Sequence, residues 1–154
     1  MPEQSYIKLQ LIVFALVSAA FTNVYITQPV LPILQSEFEI DLVLASFSVS
    51  AVIFGIALSN LPFGHLADRV AIQPIILTGG LLVAVGGVIC ALTEVYWIFI
   101  SARFLQGLFI PALTTCLAAY LAKSLPLERL SVVMGSCVSA TVLGGLGGRL
   151  LGGW

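Results

Sequence analysis

One charged side chain, Arg103, interrupts an otherwise uncharged apolar stretch at residues 95–122. A charge at the depth of a lipid bilayer is costly and normally faces the protein interior or a water-filled cavity. Because a guanidinium stays protonated at physiological pH, Arg103 can hold an anion or shift the pKa of a carboxylate, but it cannot itself carry a proton. Gln106 and Gly107 lie about one helical turn further on, beside it. These three residues form the first candidate site. A purely structural clamp between helices is the alternative for Arg103.

The first long apolar stretch carries hydroxyl and amide side chains on several sides of a helix. Since a helix facing lipid would not tolerate them, this segment should line a cavity. We predict that Asn23, Tyr25 and Gln28 lie at the depth of Arg103 and hydrogen-bond its guanidinium. Two prolines that follow Gln28 are expected to bend or end the helix.

A third candidate is the segment Gly64-His65-Leu66-Ala67-Asp68-Arg69, which is predicted to be a short loop between two apolar stretches. Asp68 and Arg69 could cap helix ends there and pair with charges on a moving neighbour. Gly64, Asp68 and Arg69 are therefore the candidate gating residues.

Other kinds of site are excluded by what the chain lacks. It has no paired acids, Ser–His set or metal cluster, so an enzyme is not expected, and neither is a cofactor. Six Lys and Arg make no basic patch, which argues against a nucleic-acid partner. Cys90, Cys116 and Cys137 sit inside apolar runs without metal-ligand spacing and are expected to be small core residues.

The elements that must position these residues follow from the distribution of charge. The 154 residues are 60% hydrophobic and 8% charged, whereas a soluble domain carries about 25% charged residues. The charges leave five apolar runs long enough to cross a bilayer as helices. Open sheet edges cannot exist in lipid, so the fold class is an all-α transmembrane helix bundle. The predicted spans are residues 9–31, 42–63, 74–92, 96–121 and 130–154.

Orientation follows from the short connections between the spans. With the N-terminus on the cytoplasmic side, the inner segments carry Lys8, Arg69, Lys123 and Arg129, and the outer loops carry only acidic residues. Trp154 then falls near the outer surface, where Trp is favoured. We expect the chain to be truncated there, because no loop or tail follows the fifth span.

The fifth span is unusually rich in small residues. Seven of the 14 glycines lie between residues 135 and 154. Small residues recur every four positions as Ser136, Ala140, Gly144, Gly148 and Gly152. Glycine costs about 1 kcal/mol relative to Ala in a helix, so this spacing predicts close backbone contact or a hinge. Gly144, Gly145 and Gly148 are the candidate hinge and packing residues.

Taken together, these motifs resemble the major facilitator superfamily. The segment Gly64-x-Leu66-Ala67-Asp68-Arg69 is similar to the signature loop after its second helix, and Arg103-Phe104-Leu105-Gln106-Gly107 is similar to its fourth-helix motif. The stretch at residues 144–149 resembles the glycine-rich fifth helix of its export branch, without the usual Pro. The stretch at residues 23–32 resembles the first helix of its sugar and drug efflux permeases. Ala71, Ile72 and Gln73 replace the Gly and basic residues that normally complete the loop motif.

The resemblance covers helices one to five of a fold that normally has twelve. It implies a secondary transporter in the inner (plasma) membrane that exports a small organic solute, driven by protons, with its cavity between two halves. The C-terminal half would be a missing partner, alongside the solute, protons and the lipid bilayer. In that reading Asn23, Tyr25, Gln28, Arg103, Gln106 and Gly107 serve the cavity or coupling. The alternative is a non-transporting membrane fragment or helix-packing scaffold.

Overall fold

The computed structural model describes residues 3–153, with side chains from residue 7 onward. The described chain is helical apart from short connections. The helices are α1 (Glu3–Tyr25), α2 (Thr27–Phe38), α3 (Leu42–Arg69), α4 (Ile72–Leu92), α5 (Tyr96–Ser124) and α6 (Leu127–Gly152). Within the described residues, five stretches are long and apolar enough to cross a membrane, and α1 and α2 together form the first of them. The predicted all-α bundle with five spans is confirmed, while Trp154 lies outside the described residues.

The first span is longer than predicted and is interrupted once. It runs from Ile7 to Phe38, and the interruption lies at Ile26 between α1 and α2. Pro29 has no N–H to donate to the carbonyl of Tyr25 one turn earlier, and its ring crowds that carbonyl. The helix therefore breaks one turn before the proline rather than at it. Pro32 lies inside α2 and does not end it.

The prediction that residues 64–69 form a loop after the second span is wrong. The structure places Gly64, Asp68 and Arg69 in the last turns of α3, and only Val70 and Ala71 separate α3 from α4. A helix satisfies its own backbone groups, which lipid cannot do, and no residue between Gly64 and Arg69 breaks it. The proline expected to close the loop, Pro74, lies instead in the first turn of α4, where proline is tolerated.

Helix α5 is the centre of the bundle. Half of its membrane span is buried, against 17–28% for the other four spans. It packs mainly against α3 and α4. Glycines make both contacts close: a Cβ on Gly55 would lie 2.7 Å from the carbonyl oxygen of Phe104, and a Cβ on Gly107 would collide with the backbone of Val52. The chain thus holds a buried helix with polar residues between two apolar neighbours.

Helix α6 packs on α1 through the small-residue track that the sequence predicted. Gly144 lies against the backbone of Ser18, and a Cβ on Gly148 would lie 2.7 Å from the carbonyl oxygen of Thr22. The hydroxyl of Ser18 donates to the carbonyl of Ala140 (3.3 Å), and that of Thr22 donates to the carbonyl of Gly144 (3.1 Å). Such contacts replace the hydrophobic effect, which does not drive helices together in lipid.

The track gives a direct test of this packing. Gly148→Leu should lower the free energy of unfolding by about 1–3 kcal/mol, because the new side chain has to displace the backbone of α1. Gly135→Leu is the matched control on the same helix, since nothing lies within 4 Å of a Cβ at Gly135. The measurement is reversible unfolding of the purified chain in mixed micelles. Equal stability of the two variants would contradict the assigned contact.

Candidate functional site

The guanidinium of Arg103 is held in the centre of the bundle by neutral acceptors. Arg103 is 2% exposed. Its Nη1 donates to Asn23 Oδ1 (3.2 Å) and to Gln106 Oε1 (2.8 Å). Its Nη2 donates to the backbone carbonyl of Asn23 (2.9 Å) and to Thr27 Oγ1 (3.0 Å). None of these partners carries a charge, so the cluster of Asn23, Thr27, Arg103 and Gln106 keeps one positive charge. We call these four residues the Arg103 cluster.

The interruption of the first span supplies the acceptors. Asn23 lies in the last turn of α1, and Thr27 begins α2. Carbonyl groups in the last turn of a helix lack partners within that helix, and the carbonyl of Asn23 accepts from Arg103. The break therefore presents a carbonyl, an amide and a hydroxyl to one side chain of α5.

Gln106 extends the cluster to a third element. Its Nε2 donates to the backbone carbonyl of Val83 in α4 (3.1 Å), while its Oε1 accepts from Arg103. Gly86 gives it room, since a Cβ there would lie 2.6 Å from Gln106 Cγ. One chain of hydrogen bonds thus connects α1 and α2 through α5 to α4.

A cavity of about 380 Å³ lies beside the cluster, between the first span, α4 and α5. The four cluster residues form its polar side, and the rest is mainly apolar: Ile26, Val30, Leu34, Gly87, Cys90, Ala91 and Phe99. The Nε of Arg103 is buried and has no hydrogen-bond partner among the described residues. A buried positive charge next to a cavity favours a negatively charged group, from a solute or from another part of the protein.

Only one of the three predicted partners of Arg103 from the first span bonds it. Asn23 does, as predicted, but Tyr25 and Gln28 contact Arg149 instead. The Arg149 guanidinium carbon lies 4.9 Å from the centre of the Tyr25 ring, and Arg149 Nε donates to Gln28 Oε1 (3.0 Å). Successive side chains point about 100° apart around a helix. Asn23 and Tyr25 are two positions apart and therefore point to different neighbours.

The candidate glycines lie at helix contacts. Gly107 packs against Val52 of α3. It does not line the cavity beside Arg103, although the sequence predicts a role for it in the cavity or in coupling. Gly144 and Gly148 contact α1, and Gly145 makes room for the Tyr25 ring, whose nearest atom would lie 3.3 Å from an added Cβ.

The candidate gating residues form a separate group at the end of α3. Asp68 pairs with Lys123 of α5 (3.1 Å), and Lys123 Nζ also donates to the backbone carbonyl of Ala67 (2.8 Å). Lys123 therefore caps the C-terminal end of α3, where a positive charge is favoured. Arg69 is exposed, and Gly64 has no neighbour within 4 Å of an added Cβ.

Sequence reasoning missed Thr27 and Arg149 as site residues. Thr27 follows Asn23 by one helical turn and therefore lies on the same face of the helix, a spacing that predicts a second acceptor for Arg103. Arg149 is a charge inside an apolar span, like Arg103, and the rule applied to Arg103 would have singled it out.

Comparison with known proteins identifies the family. The profile of the Major Facilitator Superfamily matches residues 13–154. An uncharacterized transporter of Buchnera aphidicola (subsp. Schizaphis graminum) is 26% identical over 133 residues, which are 86% of this chain and 32% of the relative. The inner membrane transport protein YnfM of Escherichia coli (strain K12) is 26% identical over 148 residues, 96% of this chain and 36% of YnfM. The multidrug resistance protein MdtL of Shigella flexneri is 37% identical over 59 residues, 38% of this chain and 15% of MdtL. The chain spans about a third of the length of the first two relatives.

Removal of one acceptor tests the cluster. Thr27→Val keeps the shape but leaves an N–H of a buried guanidinium without a partner. We expect a loss of about 1.5–3 kcal/mol in the free energy of unfolding, the range for hydrogen bonds to charged groups. Thr78→Val is the matched control, because the exposed Thr78 hydroxyl bonds only carbonyls of its own helix. Denaturant titration in micelles measures both. A Thr27→Val variant as stable as the control would show that Thr27 does not hold Arg103.

Proposed function

Because this chain belongs to the major facilitator superfamily, we propose that it forms the first five spans of a secondary transporter that exports a small organic solute across a bacterial inner membrane. In this proposal the remaining spans of the transporter complete the solute cavity. The names of YnfM, an inner membrane transport protein, and MdtL, a multidrug resistance protein, support the assignment to the inner membrane and the outward direction of transport. So do the two sequence motifs that resemble the export branch.

The observation that carries the proposal is the uncompensated charge of the Arg103 cluster beside its cavity. A helix clamp could be made from neutral hydrogen bonds at lower cost, since burying an ion requires several kcal/mol even after relaxation. A retained positive charge instead favours the ionised form of any carboxylate that approaches it, and therefore the release of its proton. We propose that such a carboxylate, on the remaining spans or on the solute, exchanges protons as it meets Arg103. Asn23 and Gln106 hold the guanidinium in place for this step.

The end of α3 fits a gating role. The Asp68–Lys123 pair and the Ala67 carbonyl tie α3 to α5, while the neighbouring Arg69 is exposed and has room to pair with another part of the protein. In this proposal Gly64 leaves the last turns of α3 uncrowded, and the contacts at Gly144, Gly145 and Gly148 keep α6 and α1 together as the bundle moves.

The second candidate is a membrane scaffold that does not transport. The close glycine contacts of α3 with α5 and of α1 with α6 favour it, since they stabilise a bundle without any moving part. Reconstitution into proteoliposomes separates the two. Solute flux that follows an imposed proton gradient supports the transporter, in this chain or in one continued by the remaining spans. A stable bundle with no flux in either form supports the scaffold.

Orientation is the first test. The basic residues of the predicted inner segments motivate an N-terminus in the cytoplasm. A cysteine introduced at Glu39, in a variant free of the native cysteines, should react with a membrane-impermeant maleimide added outside intact cells. A cysteine introduced at Arg69 should react only after the cells are opened. The reverse pattern would refute the orientation.

Arg103 is the second test, in the chain continued by the remaining spans. Arg103→Ala removes the charge and Arg103→Lys keeps it without the planar fork. The coupling role predicts that both proteins persist in the membrane while gradient-driven flux falls, at least tenfold in Arg103→Ala and less in Arg103→Lys. Membrane abundance and flux are measured on the same vesicles. Loss of both proteins from the membrane would indicate a structural clamp, and normal flux in Arg103→Ala would refute coupling.

A further inference from the structure

A second intramembrane arginine, Arg149, lies at one end of a groove between α1 and α6. Two cavities of about 260 and 240 Å³ lie along the contact of α1 with α6. Phe21 and Thr141 line both cavities, so the two are neighbours along one surface. We call this surface the α1–α6 groove. It is separate from the cavity beside Arg103, with which it shares no lining residue.

The polar end of the groove is arranged like an anion site. Gln28 accepts from Arg149 Nε, and the Tyr25 ring lies against the guanidinium. These two contacts fix the plane of the guanidinium, and its Nη1 and Nη2 make no hydrogen bond to the described residues. A guanidinium edge with two free N–H groups matches the two oxygens of a carboxylate. Arg149 is exposed, so a ligand can reach that edge.

The other end of the groove is apolar. Leu117, Met134 and Val138 line it together with Val17 and Cys137, and its only polar lining groups are hydroxyls and a thiol. Arg149 is the one charged residue that lines either cavity. A ligand that satisfies both ends carries a negative group on an apolar body. A cation would meet repulsion, and a neutral polar solute would leave both the charge and the apolar surface without a partner.

We propose that the α1–α6 groove binds an organic anion, with its carboxylate on the Nη1 and Nη2 edge of Arg149 and its apolar body between Phe21 and Thr141, where the two cavities meet. The proposed transport function makes this anion the solute that is moved. Binding to the groove itself does not depend on transport. The same anionic chemistry could come from a lipid phosphate, and the test separates the two sources.

The test compares three probes with one apolar body: 1-naphthoate, 1-naphthalenemethanol and 1-naphthylmethylammonium. Their fluorescence is titrated with the purified chain in phosphatidylcholine nanodiscs, and empty nanodiscs give the background. We expect 1-naphthoate to bind at least tenfold more tightly than the alcohol or the amine. Arg149→Gln should abolish this preference, whereas Lys8→Gln, which removes a charge far along α1 from Arg149, should retain it. Equal affinities for the three probes, or an unchanged preference in Arg149→Gln, would overturn the proposal.

Two further arms complete the test. Thr141→Phe fills the part of the groove where the two cavities meet and should weaken the binding of all three probes while leaving the preference for the anion, provided that circular dichroism shows the helical content of the parent chain. An unaltered affinity in this variant would overturn the assignment of the apolar body. Exchange of phosphatidylcholine for the anionic phosphatidylglycerol should change the affinity of 1-naphthoate by less than threefold at high salt. Loss of 1-naphthoate binding in phosphatidylglycerol would mean that Arg149 binds a lipid phosphate instead. Gradient-driven flux without anion preference in the groove would overturn this inference alone and leave the transporter in place.

Discussion

A guanidinium inside a bilayer has no water to bond, so the protein must surround it with acceptors. The Arg103 cluster meets this constraint with neutral groups from three elements. Asn23 and Thr27 come from the two halves of the first span, and Gln106 passes the connection on to the Val83 carbonyl of α4. The interruption at Ile26 and the central place of α5 both serve this arrangement. Loss of its acceptors would leave a buried charge without partners, whereas loss of Arg103 removes the charge together with its need for partners.

The glycine contacts divide the bundle into two closely packed parts. Helices α3, α4 and α5 form one part, and α1 with α6 forms the other, while α5 and α6 contact each other little. The Arg103 cluster bridges the parts near the break in the first span. The apolar end of the α1–α6 groove lies where α5 and α6 are apart, because residues of α1, α5 and α6 line it. The tight contacts thus leave one cavity beside Arg103 and the α1–α6 groove beside Arg149.

Much of this arrangement could be predicted from the sequence. The uncharged runs gave the five spans, because lipid imposes a length and a composition on every helix that crosses it. The four-residue spacing on the fifth span predicted a close contact, and depth alone paired Asn23 with Arg103. The features that the sequence did not predict depend on the direction in which each side chain points around its helix and on the position at which a helix bends. Tyr25 and Gln28 are at the right depth but face α6, and the effect of Pro29 falls one turn before it, at Ile26. The polar residues at the end of α3 resemble a connection and therefore predict a loop, although nothing among them breaks a helix.

The most direct measurement is a double-mutant cycle between Asn23 and Arg103, using Asn23→Ala and Arg103→Gln and the free energy of unfolding in micelles. If the guanidinium joins the first span to α5, the two losses are not additive, and the coupling energy falls within about 0.5–3 kcal/mol, the range for residues in contact. Removal of Asn23 should then cost much less once the charge has gone. Losses that add to within about 0.3 kcal/mol would mean that the two side chains act independently, and the bundle would not depend on this interaction.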